Sequence, residues 1–147
     1  MAPTRTDEDS SYVKMYILLP MILTAFERDK LVAKKSFKTP MPYVVLIESA
    51  IKRVEADLKE TRRKLRILGI KVYEETRTEI SIDARYLCRG YHHEFSMLWS
   101  FVKAESSVLM ERYLGIDIYM YIDPNNPYGK DQYNLPTEIA KPTDHIG

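Results

Sequence analysis

One stripe of residues limits what this chain can fold into more than any other feature. Val44, Ile47, Ile51, Val54, Leu58, Thr61, Leu65 and Leu68 follow one another at steps of 3, 4, 3, 4, 3, 4 and 3. That alternation is a coiled-coil-like heptad seam, the pattern of a helix packing lengthwise against another helix. Thr61 is its one polar member. A helix so patterned must bury the stripe, either inside its own chain or against a second copy. These eight positions are the candidate interface. Thr39 is a good N-cap residue, Pro40 suits the first helical position, and Gly69 suits a left-handed stop, so the helix is expected over about 40–68.

The flanking elements are shorter. Pro20 fits the first turn of a helix over about 20–34, with Ile22, Leu23, Phe26 and Leu31 facing inward. Residues 12–19 read equally as strand or helix, and residues 1–11 as a disordered N-terminus. After Gly69 the period falls to two, which predicts a hairpin of Ile70–Glu75 and Glu79–Arg89 joined by Thr76–Thr78. Ile80, Ile82, Ala84, Tyr86 and Cys88 would line its inner face. A third helix is expected over about 92–114, with Phe95, Leu98, Trp99, Val102, Leu109 and Tyr113 inward, and a third strand at 116–122. The expected fold is α+β: one long seamed helix, two shorter helices and a small antiparallel sheet. One globular domain would span 12–122, ahead of a polar tail at 123–147.

With 147 residues, 45% hydrophobic and 29% charged, the chain has the make-up of a folded domain rather than a disordered one. Eleven tyrosines and seven methionines suit either a core or an interface. The lone Cys88 excludes an intrachain disulfide and fits a buried thiol in a reducing compartment. Acidic residues at Asp7–Asp9 argue against a signal peptide. The apolar run Met15–Phe26 is shorter than the roughly 20 residues that span a bilayer. A cytoplasmic protein without a membrane partner is expected.

No motif carries recognisable chemistry. The triplet His92-His93-Glu94 is the most site-like cluster, but the positions three and four further on are Phe95, Ser96 and Met97, which are poor metal ligands. Glu105 falls within the apolar stripe of the third helix and reads as a side chain that snorkels to water or pairs with an arginine such as Arg85 or Arg89. The five glycines form no phosphate-cradling loop. Neither a metal, a cofactor nor catalysis is expected.

Charge is uneven. Residues 27–38 carry a net +3 and residues 39–71 a net +4, against −6 for the rest. Lys52, Lys59, Arg62, Arg63, Arg66 and Lys71 make a candidate phosphate-binding face on and just beyond the long helix. Glu48→Lys52, Glu55→Lys59 and Glu60→Lys64 have the spacing of ordinary helix-surface pairs instead.

The word order Leu19-Pro20, Phe26-Glu27-Arg28-Asp29, Phe37-Lys38, Pro42-Tyr43, Ile47-Glu48 and Gly69-Ile70-Lys71-Val72 resembles small uncharacterised proteins encoded by phages and prophages of Bacillus-like bacteria. The resemblance covers about the first half of the chain. It implies a mobile-element setting and carries no functional residue with it. The expected role is a non-enzymatic accessory protein that acts by protein–protein contact, as a homo-oligomer or with another protein. The alternative is a nucleic-acid-binding regulator.

Overall fold

The computed structural model describes residues 5–115. The order is α1 (Asp7–Ser36), α2 (Pro40–Ile67), β1 (Ile70–Arg77), β2 (Ser81–Cys88), β3 (Tyr91–Leu98) and α3 (Trp99–Tyr113). The strands form one antiparallel sheet in the order β1-β2-β3. This is an α+β fold, as the sequence implied.

α1 begins far earlier than the proline suggested. Thr6 and Asp9 form a reciprocal capping box, with the Asp9 N–H bonded to Thr6 Oγ1 and the Thr6 N–H bonded to Asp9 Oδ2. The segment read as strand or helix is therefore helical, and residues 7–11, expected to be disordered, are the first turns of α1. Pro20 lies inside the helix. It deletes one backbone hydrogen bond, at about 3 kcal/mol or more. Burial of Tyr12, Val13, Met15, Ile17, Leu18, Leu19, Ile22 and Phe26 on both sides of it more than offsets that. Of the residues expected inward, Ile22 and Phe26 are buried and Leu23 is half-buried, but Leu31 is exposed.

α2 starts where the proline signal placed it, although Thr39 makes no side-chain cap bond. α1 packs back along it. Val44, Ile51, Val54, Leu58, Thr61 and Leu65 are buried, and Ile47 and Leu68 half-buried. These positions, together with Ala50 and Asp57, thus face the interior of their own chain. Thr61 is satisfied locally, its hydroxyl donating to the Asp57 carbonyl at 2.7 Å.

The sheet departs from expectation in its third strand. Arg89 (φ 49) and Gly90 (φ 88) make a two-residue turn with both residues left-handed, so the chain reverses at once and 91–98 pairs with β2. Residues 92–98 therefore belong to β3, and α3 starts at Trp99. The spacing is ambiguous here: Phe95, Leu98, Trp99 and Val102 satisfy the helical period, while His93, Phe95 and Met97 satisfy the strand period. The expected strand at 116–122 and the tail at 123–147 lie outside the described residues. The first hairpin turn sits two residues later than expected, at Thr78–Ile80, where Thr78 Oγ1 accepts the N–H groups of Ile80 and Ser81. Ile80 is consequently exposed at the turn, whereas Ile82, Ala84, Tyr86 and Cys88 do line the inner face. A bulge between Val72 and Glu74 breaks the β1 ladder.

The core joins α1, the middle and C-terminal parts of α2, β2 and α3. Leu58 lies in it, 6% exposed. Leu58→Ala should cost about 2–5 kcal/mol, and Leu58→Asp should abolish folding. Circular dichroism of both variants through a thermal ramp checks this. A soluble, fully helical Leu58→Asp monomer would show that the seam is an interface between chains.

Candidate functional site

Strand β3 is an edge: among the described residues no strand pairs with its outer side. Beside its last residues opens a cleft of about 480 Å³. Asp7, Ser10, Ser11 and Lys14 of α1 form one wall, Phe95, Ser96, Met97 and Leu98 of β3 another, and Phe101 of α3 closes the end. Leu98 and Phe101 are 55% and 42% exposed, large apolar surfaces that folding alone leaves in water.

Two buried ionic contacts set the walls. Lys14 lies within the apolar run of α1, and its Nζ is 3.6 Å from Glu105 of α3, both side chains less than a tenth exposed. The Phe101 ring centroid lies 5.9 Å from the same nitrogen. Glu105 thus takes neither of the arginines anticipated for it: Arg85 reaches Glu94 and Glu74 on the outer sheet face, and Arg89 reaches Asp9. Glu105 Oε2 has no hydrogen-bond partner among the described residues.

The second contact is the Asp9 carboxylate. Arg89 Nη2 donates to it at 2.7 Å, and Arg89 Nη1 donates to the Leu68 carbonyl at 2.9 Å. The guanidinium so ties the start of α1 to the end of α2 and holds its own residue in a left-handed backbone, a conformation uncommon outside glycine. Burial alone would push the Asp9 carboxyl upward. The hydrogen bonds from Arg89 and Thr6, with the Arg89 charge, outweigh burial and hold it below the usual carboxylate range. Cys88 is fully buried beside it, its thiol 3.8 Å from Asp9 Oδ2. Burial and the Asp9 charge push this thiol up, which opposes thiolate formation and makes it a poor nucleophile.

The histidine pair is on a strand, not at a helix start. Successive strand residues face opposite ways. His92 is on the exposed face, its Nδ1 2.9 Å from the Tyr73 hydroxyl, while His93 stacks on Tyr86 with ring centroids 5.5 Å apart. Among the described residues no group of three His, Cys, Asp or Glu side chains could hold a metal.

Lys52, Lys59, Arg62, Arg63 and Arg66 are exposed on the outward side of α2, and Lys71 is exposed at the start of β1. Glu60 engages Arg63 through Nε at 2.9 Å. Tyr113 of α3 donates to Asp57 at 2.7 Å, and Arg53 binds the Tyr113 carbonyl, so α3 ends against the middle of α2. Burial, with the Asp57 charge and hydrogen bond, pushes the Tyr113 phenol far up. Sequence reasoning missed Asp9, Lys14 and the cleft. The signals available were the Thr6–Asp9 capping spacing and a lysine standing alone in an apolar run.

Among the described residues no helix is long and apolar enough to cross a membrane. A family model described as YhjD protein matches residues 4–118. The chain is also similar to the Bacillus subtilis (strain 168) protein "Uncharacterized protein YhjD", 27% identical over 113 residues, covering 76% of this chain and 94% of that one. No solved structure matches it.

Asp9 sets a pH dependence. Its folded value lies below its unfolded one, so its contribution is fully present above the ordinary carboxylate pKa of about 3.9 and is lost as pH falls through the folded value. Asp9→Asn should therefore melt several degrees below the wild type at neutral pH, with the gap closing in acid. Thermal melts of both proteins from neutral to acidic pH would expose a gap that does not close.

Proposed function

The chain belongs to the YhjD protein family, and on that premise we propose that it is a non-enzymatic accessory protein acting through protein–protein contact. The observation that carries this reading is the outer edge of β3, unpaired among the described residues, beside the apolar cleft. An extended partner segment can add to such an edge through main-chain hydrogen bonds, placing alternate side chains in the adjoining cleft. Phe95, Leu98 and Phe101 would receive apolar side chains, and Ser10 and Ser11 would supply hydroxyls at the wall. The buried thiol and the divergent histidines favour contact over catalysis.

The heptad residues serve this role indirectly in the proposal: they join α1 to α2, and α1 forms a wall of the cleft. Association of two copies would run through the β3 edge rather than through the seam. The mobile-element setting rests on word order alone, and a gene neighbourhood without phage functions would remove it while leaving the contact reading intact.

A second reading, nucleic-acid binding, is favoured by five exposed cations on one side of α2. Phosphate binding there would weaken steeply with salt. Lys59→Glu, Arg63→Glu and Arg66→Glu together should abolish a mobility shift seen at low salt, and an intact protein that shifts neither DNA nor RNA at low salt eliminates this alternative.

The preferred reading has its own test. Leu98→Lys with Phe101→Glu changes two exposed residues, so folding should persist while partner capture is lost. Affinity purification from the native host with wild type and double variant, quantified by mass spectrometry, compares them. A set of captured proteins identical for both would rule out the cleft as the docking site.

A further inference from the structure

The far end of the α1–α2 hairpin has a surface unlike the rest of the molecule. Residues 30–47 contain four lysines and no acid. Around them Leu31, Val32 and Phe37 are 56%, 49% and 45% exposed, and Met41, Tyr43, Val45 and Leu46 are 60%, 52%, 57% and 44% exposed. Ala33 and Val44 are buried there, yet lie outside the main core cluster. α3 ends beside Arg53, ten residues or about 15 Å along α2 from Tyr43. The two helices therefore continue past α3 and present this end to solvent among the described residues.

The distribution of the apolar groups selects the kind of partner. At about 100° per residue, Met41, Tyr43, Val45 and Leu46 spread over more than half of the helix circumference, and Val44 and Ile47 occupy the part facing α1. The first turns of α2 are thus apolar all round. A helix of that kind belongs in an apolar surrounding rather than against one flat face. The charges sort by position. At the base of the end, Glu27 pairs with Lys30 and Asp29 with Arg28. Beyond them Lys34, Lys35 and Lys38 are exposed and no acid follows until Glu48. Phe37 and Tyr43 meet edge to face at 5.0 Å, an aromatic pair at the level of these lysines.

We propose that the apolar, lysine-collared end of the α1–α2 hairpin docks peripherally on a phospholipid surface bearing anionic headgroups. The apolar side chains of Met41, Val45 and their neighbours enter the boundary between headgroups and acyl chains, while the lysines remain at headgroup level with their stems along the apolar surface. Their positive charge complements the anionic lipid. The expectation of no membrane partner came from the absence of a spanning segment; surface docking needs none. This site is separate from the β3 cleft, and either can fail alone.

Flotation of the full chain with vesicles tests the proposal, using phosphatidylcholine alone or with phosphatidylglycerol. The protein should float with the anionic vesicles at least roughly tenfold better than with the neutral ones, and added salt should reduce this. Lys34→Glu with Lys35→Glu and Lys38→Glu should abolish flotation, as should Met41→Ser with Val45→Ser. Circular dichroism should remain that of the wild type, because these positions are exposed. Leu98→Lys with Phe101→Glu should float normally. A polarity-sensitive dye on Met41→Cys should shift to the blue on anionic vesicles, and one on Lys59→Cys should not; the native thiol at Cys88 is buried. Failure to float with anionic vesicles, or flotation unaffected by both tip variants, overturns the proposal. So does a dimer that dissociates on Met41→Ser with Val45→Ser in a protein that ignores vesicles, since a second copy would then occupy the end.

Discussion

The Asp9 carboxylate is the contact on which the arrangement of the elements depends. Through Thr6 it starts α1, and through Arg89 it reaches the end of α2 and the β2–β3 turn. A carboxylate this buried is costly unless every oxygen is engaged. Its cost is offset by a charged donor that is itself fixed by the Leu68 carbonyl. This ion pair thus ties the capped start of the first helix to the end of the second and to the β2–β3 turn. The cleft follows from it, because α1 walls that cleft with residues only one to five positions from Asp9.

The long helices divide the molecule in two. Toward the sheet, α1 and α2 share a core with β2 and α3. Away from it they pack only on each other among the described residues, with small or β-branched Ala33 and Val44 at the contact. The first half holds the structure together. The second carries apolar side chains that contribute little to that core, and their exposure is the reason to look for something outside the chain to meet them.

Much of this was legible in the residues. The helical spacing of apolar residues, the Pro40 start and the Gly69 stop define α2 closely, because helix signals are local and agree with one another. Ile82, Ala84, Tyr86 and Cys88 showed β2 by alternation. The failures have physical causes. Pro20 has the local signature of a helix start, but a helix with eight buried neighbours tolerates one lost hydrogen bond. Phe95 fits both periods, with Leu98 and Trp99 completing the helical one and His93 and Met97 the strand one, and the deciding feature is a turn at Arg89-Gly90, whose left-handed arginine bonds a partner eighty positions away. Lys14 and Glu105 lie ninety-one residues apart, so their pairing could not be read from local spacing. Long-range ion pairs leave no periodic trace, which is why the fold was more readable than the candidate site.

The two rims of the sheet are not equivalent. β1 is interrupted by its bulge after Val72, and Lys71, Glu74, Glu75 and Arg77 crowd its length with exposed charge. Natural sheets use both devices to prevent unwanted strand pairing. β3 offers a continuous ladder to β2 without such an interruption. A sheet guarded on one rim can accept a single added strand and then stops growing. Any pairing through it would be capped at one neighbour per molecule, giving a closed pair rather than a fibre.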